Sequence, residues 1–372
     1  MRGISRFLYV NILKPVLFLF PADGVHELFV NLGYKLGKYT FIKKFFGSIW
    51  SFGDKTLKQN ICDLNFKNPV GLAAGFDYNA DLVEILPSVG FGFHTIGTLT
   101  HESYAGNPAP MLARLPKSRS LLVNKGFKNS GINTALLKLP ESTSEIPIGI
   151  SIGATNKPYL DFNSMLQDLV LGFRDAEKFK NFDYYELNIS CPNLQNIQNL
   201  NDQIDSPTGL MQTLKFLAEL NLNRPVFIKM PLEKNTGKIK KLMEVANDFT
   251  FIKGLIFSNL AKDRTNNAFN TEEIKRAGVG NFSGKPTEEK SNSILSYAYK
   301  TYGKRFILIG SGGIFTAGDA YKKILLGASL VQIITGMIFM GPQQIGLINK
   351  ELVKLLKKDG YKNIHDAVGA SS

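Results

Sequence analysis

From about residue 64 onward, short β-rich runs alternate with helical stretches, and this alternation limits the fold more than any other feature of the chain. The runs are Val70–Ala74, Phe93–Gly97, Ile148–Gly153, Tyr184–Ser190, Val226–Met230, Gly254–Ser258, Phe306–Gly310 and Leu330–Ile334. Helical spacing fills most of the intervals, over 161–180, 207–220, 235–248, 289–301, 316–326 and 343–357. Eight strand–helix units in about 300 residues predict an α/β fold, a (β/α)8 TIM barrel. A doubly wound sheet would require G-x-G-x-x-G after its first strand, and Gly71–Gly75 does not supply it. No Pro-, Gly- or Ser-rich linker divides this region. The polar, aperiodic stretch Asn193–Asp205 reads as a mobile loop.

The first fifty residues are built differently. Residues 1–46 carry Arg2, Arg6, Lys14, Lys35, Lys38, Lys43 and Lys44 against Asp23 and Glu27. Between these charges run Phe7–Val10, Ile12, Leu13 and Val16–Phe20. No apolar run reaches the roughly 18 residues that a spanning helix needs, because Asn11, Lys14 and Pro15 interrupt it. A signal peptide fits poorly, since Pro15–Phe20 is short and no small-x-small cleavage site follows. Asp23 reads as an N-cap, followed by Val25, Leu28, Phe29, Leu32 and Leu36 at helical spacing. Two short amphipathic helices with basic flanks are expected. They either dock on the main domain or insert into a membrane interface. The expected division is 1–50 as an amphipathic helical segment and 51–372 as the barrel. His26, a lone histidine, is expected on a helix surface rather than in a cavity.

The net charge of +13 calls for an anionic partner: phosphate, carboxylate, nucleic acid or acidic lipid. Only Cys62 and Cys191 are present, which excludes a disulfide framework. Neither has histidines at metal-ligand spacing, so no metal site is expected.

In a (β/α)8 barrel the reacting groups lie where strands end. The fourth strand ends in Asn188-Ile189-Ser190-Cys191-Pro192-Asn193, the fifth at Lys229, the sixth at Ser258-Asn259. The seventh opens into Gly310-Ser311-Gly312-Gly313 and the eighth into Thr335-Gly336. Glycine-rich turns after strands seven and eight point to a phosphorylated ligand held by backbone amides. Lys229 is compatible with a Schiff base, with the electron-rich edge of a flavin, or with a salt bridge. No carboxylate stands at the adjacent strand ends to favour the last. Cys191, flanked by polar residues, can serve as base or nucleophile, and an electropositive site would raise its thiolate fraction. Asn124, Asn188, Asn193 and Asn259 offer neutral donors and acceptors suited to a flat ring with alternating C=O and N–H groups.

These motifs resemble a known family. Asn188–Asn193, Val123-Asn124-Lys125-Gly126-Phe127, Phe227-Ile228-Lys229, Phe282-Ser283-Gly284, Gly310–Gly313 and Asn68–Asp77 together are similar to the dihydroorotate dehydrogenases, over nearly the whole chain. Phe20–Glu27 and Leu330-Val331-Gln332-Ile333 resemble the class 2 branch, which is quinone-reducing and membrane-associated. The resemblance implies FMN, its phosphate on Gly284, Gly312, Gly313, Thr335 and Gly336. Ala73, Ala74, Gly75, Thr98, Ser151, Lys229 and Ser258 would then surround the ring system. It further implies orotate on Asn124, Asn188, Asn193 and Asn259, Cys191 as base, and a quinone tunnel lined by His26 and Arg114. The implied partners are dihydroorotate or orotate, a membrane quinone and a membrane surface, with no nucleic acid. The implied place is the cytoplasmic face of the cell membrane.

The chain also departs from the family pattern. Cys191 stands where class 2 has Ser, as in class 1, and Tyr78 stands where the family has Lys. Leu194 and Leu260 replace threonines, Ser151 an asparagine and Ile334 a tyrosine. The substrate wall is therefore expected to be more apolar. Alternatives are a flavin reductase for another dihydropyrimidine or an enone, a Schiff-base lyase on Lys229, and a non-catalytic membrane-binding protein.

Overall fold

The computed structural model describes residues 2–141, 144–232, 236–257 and 259–372. The eight barrel strands are β1 (Val70–Leu72), β2 (Phe93–Leu99), β3 (Ile148–Ile152), β4 (Tyr184–Asn188), β5 (Val226–Lys229), β6 (Ile252–Phe257), β7 (Ile307–Ser311) and β8 (Leu330–Ile333). They pair in parallel, each with its neighbour in sequence, and β8 closes on β1. Every residue of β2, β3, β4, β5 and β8 is buried, which is why these strands read as largely apolar runs rather than as an apolar–polar alternation.

Helices wrap the barrel at the expected places, among them Phe162–Glu177, Pro207–Ala218, Thr236–Asn247, Glu288–Tyr302, Ala317–Leu325 and Gln344–Lys358. Local chemistry sets their starts. Thr316 and Asp319 form a reciprocal capping box, so the chain leaves the glycine turn after β7 and enters Ala317–Leu325 at a fixed point. At the opposite end of the barrel, a hairpin of Gln59–Ile61 and Leu64–Phe66 brings Ile61 and Phe66 against Phe93, Tyr184, Phe227 and Leu330.

Some features differ from the sequence reading. A three-stranded antiparallel sheet joins Leu112–Leu115, Ser120–Val123 and Asn281–Gly284, and the sequence reading missed it. Its strands are four residues each and come from distant parts of the chain, so no local periodicity announces them. Asn193–Asp205 is not a loop: Gln195–Ile197 forms a 3-10 turn and Gln198–Ile204 an α-helix. Leu194, Ile197 and Ile204 are buried beneath it.

The N-terminal segment holds more helix than expected. Helix α1 (Arg2–Leu8) continues through a π turn over Tyr9–Leu13 into α2 (Lys14–Leu17), followed by α3 (Ala22–Gly37) and α4 (Thr40–Trp50). Pro15 does not break the run because it sits in the first turn of α2, where an amide hydrogen is dispensable. Asp23 is not the N-cap of α3, a position held by Pro21. Its carboxylate reaches across instead, accepting from the Met111 and Leu112 amides at 3.0 Å each. Among the described residues, no helix is long and apolar enough to cross a membrane.

Candidate active site

At the strand C-terminal ends, three cavities adjoin. The first, of about 90 Å³, is lined by Gly284, Gly312, Gly313, Thr335 and Gly336, with Ala73, Lys229 and Gln332. The second, of about 140 Å³, holds Cys191, Asn188, Asn193, Thr98, Gly75, Tyr78 and Lys125. Ala74, Lys229, Asn259, Leu260, Ser283, Ile334 and Thr335 line both, so the two are lobes of one site. The third, of about 230 Å³, lies under α3 and is walled by apolar side chains, with His26 and Arg114. His26, Phe76, Leu112, Leu121 and Ile338 face both the second and the third.

The glycine lobe cannot accept side chains. A Cβ on Gly336 would lie 2.0 Å from the Ile314 carbonyl oxygen, and one on Gly284, at φ +85°, 2.4 Å from that of Arg119. Both obstacles are backbone, which cannot step aside. Ser283 Oγ and Thr335 Oγ1 meet across the lobe at 2.7 Å. Gln332, whose buried Oε1 has no hydrogen-bond partner among the described residues, lines this lobe and offers a place for an imide or amide N–H. Bare amides, hydroxyls and an orphaned acceptor suit a phosphorylated, imide-bearing ring cofactor, which is the donor set an FMN needs.

Beneath the lobes, polar side chains inside the barrel form one connected network. Glu186, in the middle of β4, is fully buried and accepts from Ser151 Oγ at 2.8 Å and from Lys229 Nζ at 3.3 Å. Gln332 Nε2 contacts Thr95 Oγ1 at 3.1 Å and lies 3.5 Å from Glu186 Oε2. Ser151 meets Thr98 at 2.9 Å, and Asn188 Nδ2 donates to Thr98 Oγ1 at 2.8 Å. The expectation that Lys229 lacks a nearby carboxylate is thus corrected: Glu186 is its ion-pair partner. The sequence signal was present, since Glu186 and Asn188 share one face of β4 and Asn188 stands opposite Lys229 on β5.

Cys191 is buried at the edge of the central lobe. Burial pushes its thiol up to about 12, against the pull of the Asn193 amide and of Lys229 and Lys262. The expected gain in thiolate is therefore overturned: desolvation outweighs the nearby cations. Asn188, Asn193 and Asn259 line the lobe with it. Asn124 stands one layer behind, its Oδ1 accepting from Asn107 Nδ2 at 2.9 Å and Gln195 Nε2 at 3.3 Å. Ser151 is likewise behind the wall, and Ser258 lies outside the described residues.

His26 is also not where a lone histidine was expected. It is 9% exposed, set edge-on to Phe76 at 4.8 Å, and its Nε2 has no hydrogen-bond partner among the described residues. Burial, with Lys125 nearby, lowers its pKa to about 3, so it is neutral at physiological pH. Arg114 donates to the Phe20 carbonyl at 2.8 Å, and its guanidinium lies 4.6 Å from the centre of the Phe18 ring.

A closed parallel barrel with a glycine-lined anion lobe beside a buried thiol and amide cluster defines an α/β-barrel enzyme of the cofactor-binding kind. The dihydroorotate dehydrogenase family model matches residues 56–356. The chain is 31% identical to the dihydroorotate dehydrogenase (quinone) of Nocardia farcinica, over 98% of this chain and 97% of that one. It is 33% identical to the protein of the same name from Nostoc punctiforme, over 86% and 85%. The crystal structure of DHODH from Eimeria tenella in complex with ferulenol superposes with a TM-score of 0.81 at 26% identity, covering 94% of this chain and 95% of that one. The chain belongs to the dihydroorotate dehydrogenase family.

Proposed function

We propose that this protein oxidises (S)-dihydroorotate to orotate with FMN as cofactor and passes the electrons to a quinone, a step of pyrimidine synthesis. The observation that carries this reading is the row of three adjoining cavities, glycine-lined, thiol- and amide-lined, then apolar. Relatives named dihydroorotate dehydrogenase (quinone) that align over nearly the full length support it.

Gly284, Gly312, Gly313, Thr335 and Gly336 would hold the FMN phosphate. Ala73, Ala74, Gly75, Thr98 and Lys229 would border its rings, with Ser151 behind Thr98. When bound, FMN supplies an acceptor for the hydride that leaves C6 of dihydroorotate and relays two electrons onward. Cys191 Sγ takes the C5 proton, so one C–H bond gives up a proton and the other a hydride as the ring double bond forms. Asn188, Asn193 and Asn259 orient the pyrimidine ring through its alternating carbonyl and N–H groups, with Asn124 bracing them from behind. Lys229 keeps positive charge beside the electron-accepting edge while Glu186 balances it.

The apolar cavity would admit the quinone ring, with His26 and Arg114 as its polar contacts. The basic, outward-facing apolar helices α1–α4 would rest on a membrane surface. Anaerobic titration of the yellow holoenzyme with dihydroorotate is expected to bleach its visible absorbance, and added quinone to restore it. A protein that stays colourless after reconstitution with excess FMN, or yellow after dihydroorotate, overturns this reading.

A further inference from the structure

Lys125 is a cation in an unusual setting. It is 7% exposed and lines the same lobe as Cys191, Asn188, Asn193 and Asn259. Its Nζ lies 3.2 Å from Asp23 Oδ1 and 4.8 Å from the centre of the Tyr78 ring. Tyr78 lines that lobe too, and among the described residues its buried hydroxyl has no hydrogen-bond partner. An orphaned buried hydroxyl carries a desolvation cost that a ligand oxygen can relieve.

Among the described residues two other cations face the lobe, but neither is similarly placed. Lys229 is paired with Glu186, which is wholly buried and has no other charge to serve. Lys128 pairs with Glu27 at the rim, where both side chains meet solvent, at 29% and 58% exposure. The counter-ion of Lys125 is only partly committed. Asp23 Oδ2 is occupied by two backbone amides of the Leu112 strand, and Oδ1 alone serves the ammonium. Burial pulls the ammonium below its ordinary pKa and the Asp23 carboxylate only partly offsets this. A second anion beside it would complete the compensation.

We propose that Lys125 and the Tyr78 hydroxyl together form the seat for the carboxylate of the substrate, selecting an anionic dihydropyrimidine over its neutral analogues. This rests on the assignment of dihydroorotate above. The ammonium lies close to the side chain of position 78, so a cation reaches this part of the lobe from the Ser120–Val123 side of the site rather than from β1. Because Asp23 belongs to α3, the same ammonium also ties the seat to the N-terminal helices. Substrate carboxylate and Asp23 share it, while the two amide contacts keep α3 in place.

The test uses the full-length holoenzyme and two probes, orotate and its neutral carboxamide, with binding read from the perturbation of the flavin spectrum. Wild type is expected to favour orotate, and Lys125→Met to lose about 10- to 100-fold of that preference while carboxamide binding changes little. Tyr78→Phe is expected to lose less, about 3- to 10-fold, and Lys125→Arg to keep most of it. Lys128→Met leaves the preference standing. Full preference retained in Lys125→Met overturns the seat. Equal loss for both probes also overturns it, because the residue is then only structural. If Lys125→Met does not fold, Asp23→Asn decides, since removing the competing charge is expected to tighten orotate alone. Unchanged or weaker orotate binding in Asp23→Asn counts against the proposal. A wild type that is not bleached by dihydroorotate overturns the functional assignment itself, whatever the variants do.

Discussion

The barrel and the N-terminal helices use their apolar residues in opposite ways. Inside the barrel Leu72, Ile96, Ile150 and Leu187 are wholly buried, each on a strand that is hydrogen-bonded on both sides. In α1–α4 only His26 and Gly37 are buried, while Phe41 at 71% and Ile4 at 66% face outward, as does Leu19 at 82% in the turn between α2 and α3. A soluble monomer seldom exposes so many large apolar side chains together. The barrel holds its shape by its own packing. The helices dock through Val30, Leu36, Phe46 and Trp50, half-buried against the core, and through ties to the barrel such as Asp23 to Lys125 and Tyr9 Oη to the Ile338 carbonyl at 2.7 Å. Arg2 ties α1 to the end of α4 through the Trp50 and Ser51 carbonyls. The strand-end site is thus built on the barrel, while the helices cover the apolar cavity beside it.

Cys191→Ala bears most directly on the barrel side. The rate at which dihydroorotate bleaches the flavin is expected to fall about 10²- to 10⁴-fold with FMN still bound, as stopped-flow absorbance would show. The wild-type rate is expected to climb with pH. The thiol is held up near 12, so its thiolate fraction rises about tenfold per pH unit through the neutral and alkaline range. A flat pH profile would remove Cys191 from the role of base.

Deleting residues 1–50 probes the other side. Loss of α1–α4 is expected to abolish quinone reduction while largely sparing reduction of a soluble dye, measured side by side in steady state. Equal loss with both acceptors would mean that the helices serve the barrel rather than the acceptor path.

Stability at low pH separates the regions further. Asp77, directly after the β1 loop, is wholly buried. It accepts from the Asp81 and Leu82 amides at 2.8 and 2.9 Å, and His94 Nε2 is 3.3 Å away. Burial alone drives its carboxyl upward, but His94 and the two amides outweigh it and hold it below 3.8. A depressed carboxylate contributes stability above its unfolded pKa and loses it as pH falls through the folded one. Asp77→Ala is expected to cost about 3–5 kcal/mol at neutral pH in urea titrations. The variant should also lack the part of the wild-type slope below about pH 4 that Asp77 supplies.

How far these regions were legible in sequence follows from the same contrast. All eight barrel strands could be read, because burial on both faces forces a largely apolar run that turns bracket. The ends of β1 and β4 were overrun by two residues each, at Ala73-Ala74 and Ile189-Ser190. The glycine turns, Cys191 and the asparagines were legible from their places at strand ends. Glu186 stands in mid-strand inside the barrel, so the rule that reacting groups lie at strand ends does not reach it. The sheet formed by 112–115, 120–123 and 281–284 depends on pairing over more than 150 residues, which no local pattern encodes. His26 read as a surface residue because only the docking of α3 buries it.

The smallest expected effect gives the cleanest measure of the difference. Leu214, on the helix Pro207–Ala218, is wholly buried, and Leu214→Ala is expected to cost about 2–5 kcal/mol in denaturant titration. Leu19 is the same residue type at 82% exposure, and Leu19→Ala is expected to shift stability by less than about 0.5 kcal/mol. If α1–α4 meet a lipid surface, that neutral variant should nevertheless bind anionic vesicles more weakly, since each apolar side chain entering the interface contributes in proportion to its buried area. Co-sedimentation with vesicles would show the drop, and Leu214→Ala would show none while it stays folded. A Leu19 variant with unchanged vesicle binding would place the lipid contact elsewhere on the helices. Were Leu19→Ala instead as destabilising as Leu214→Ala, its exposed face would have to be packed against another protein surface in solution.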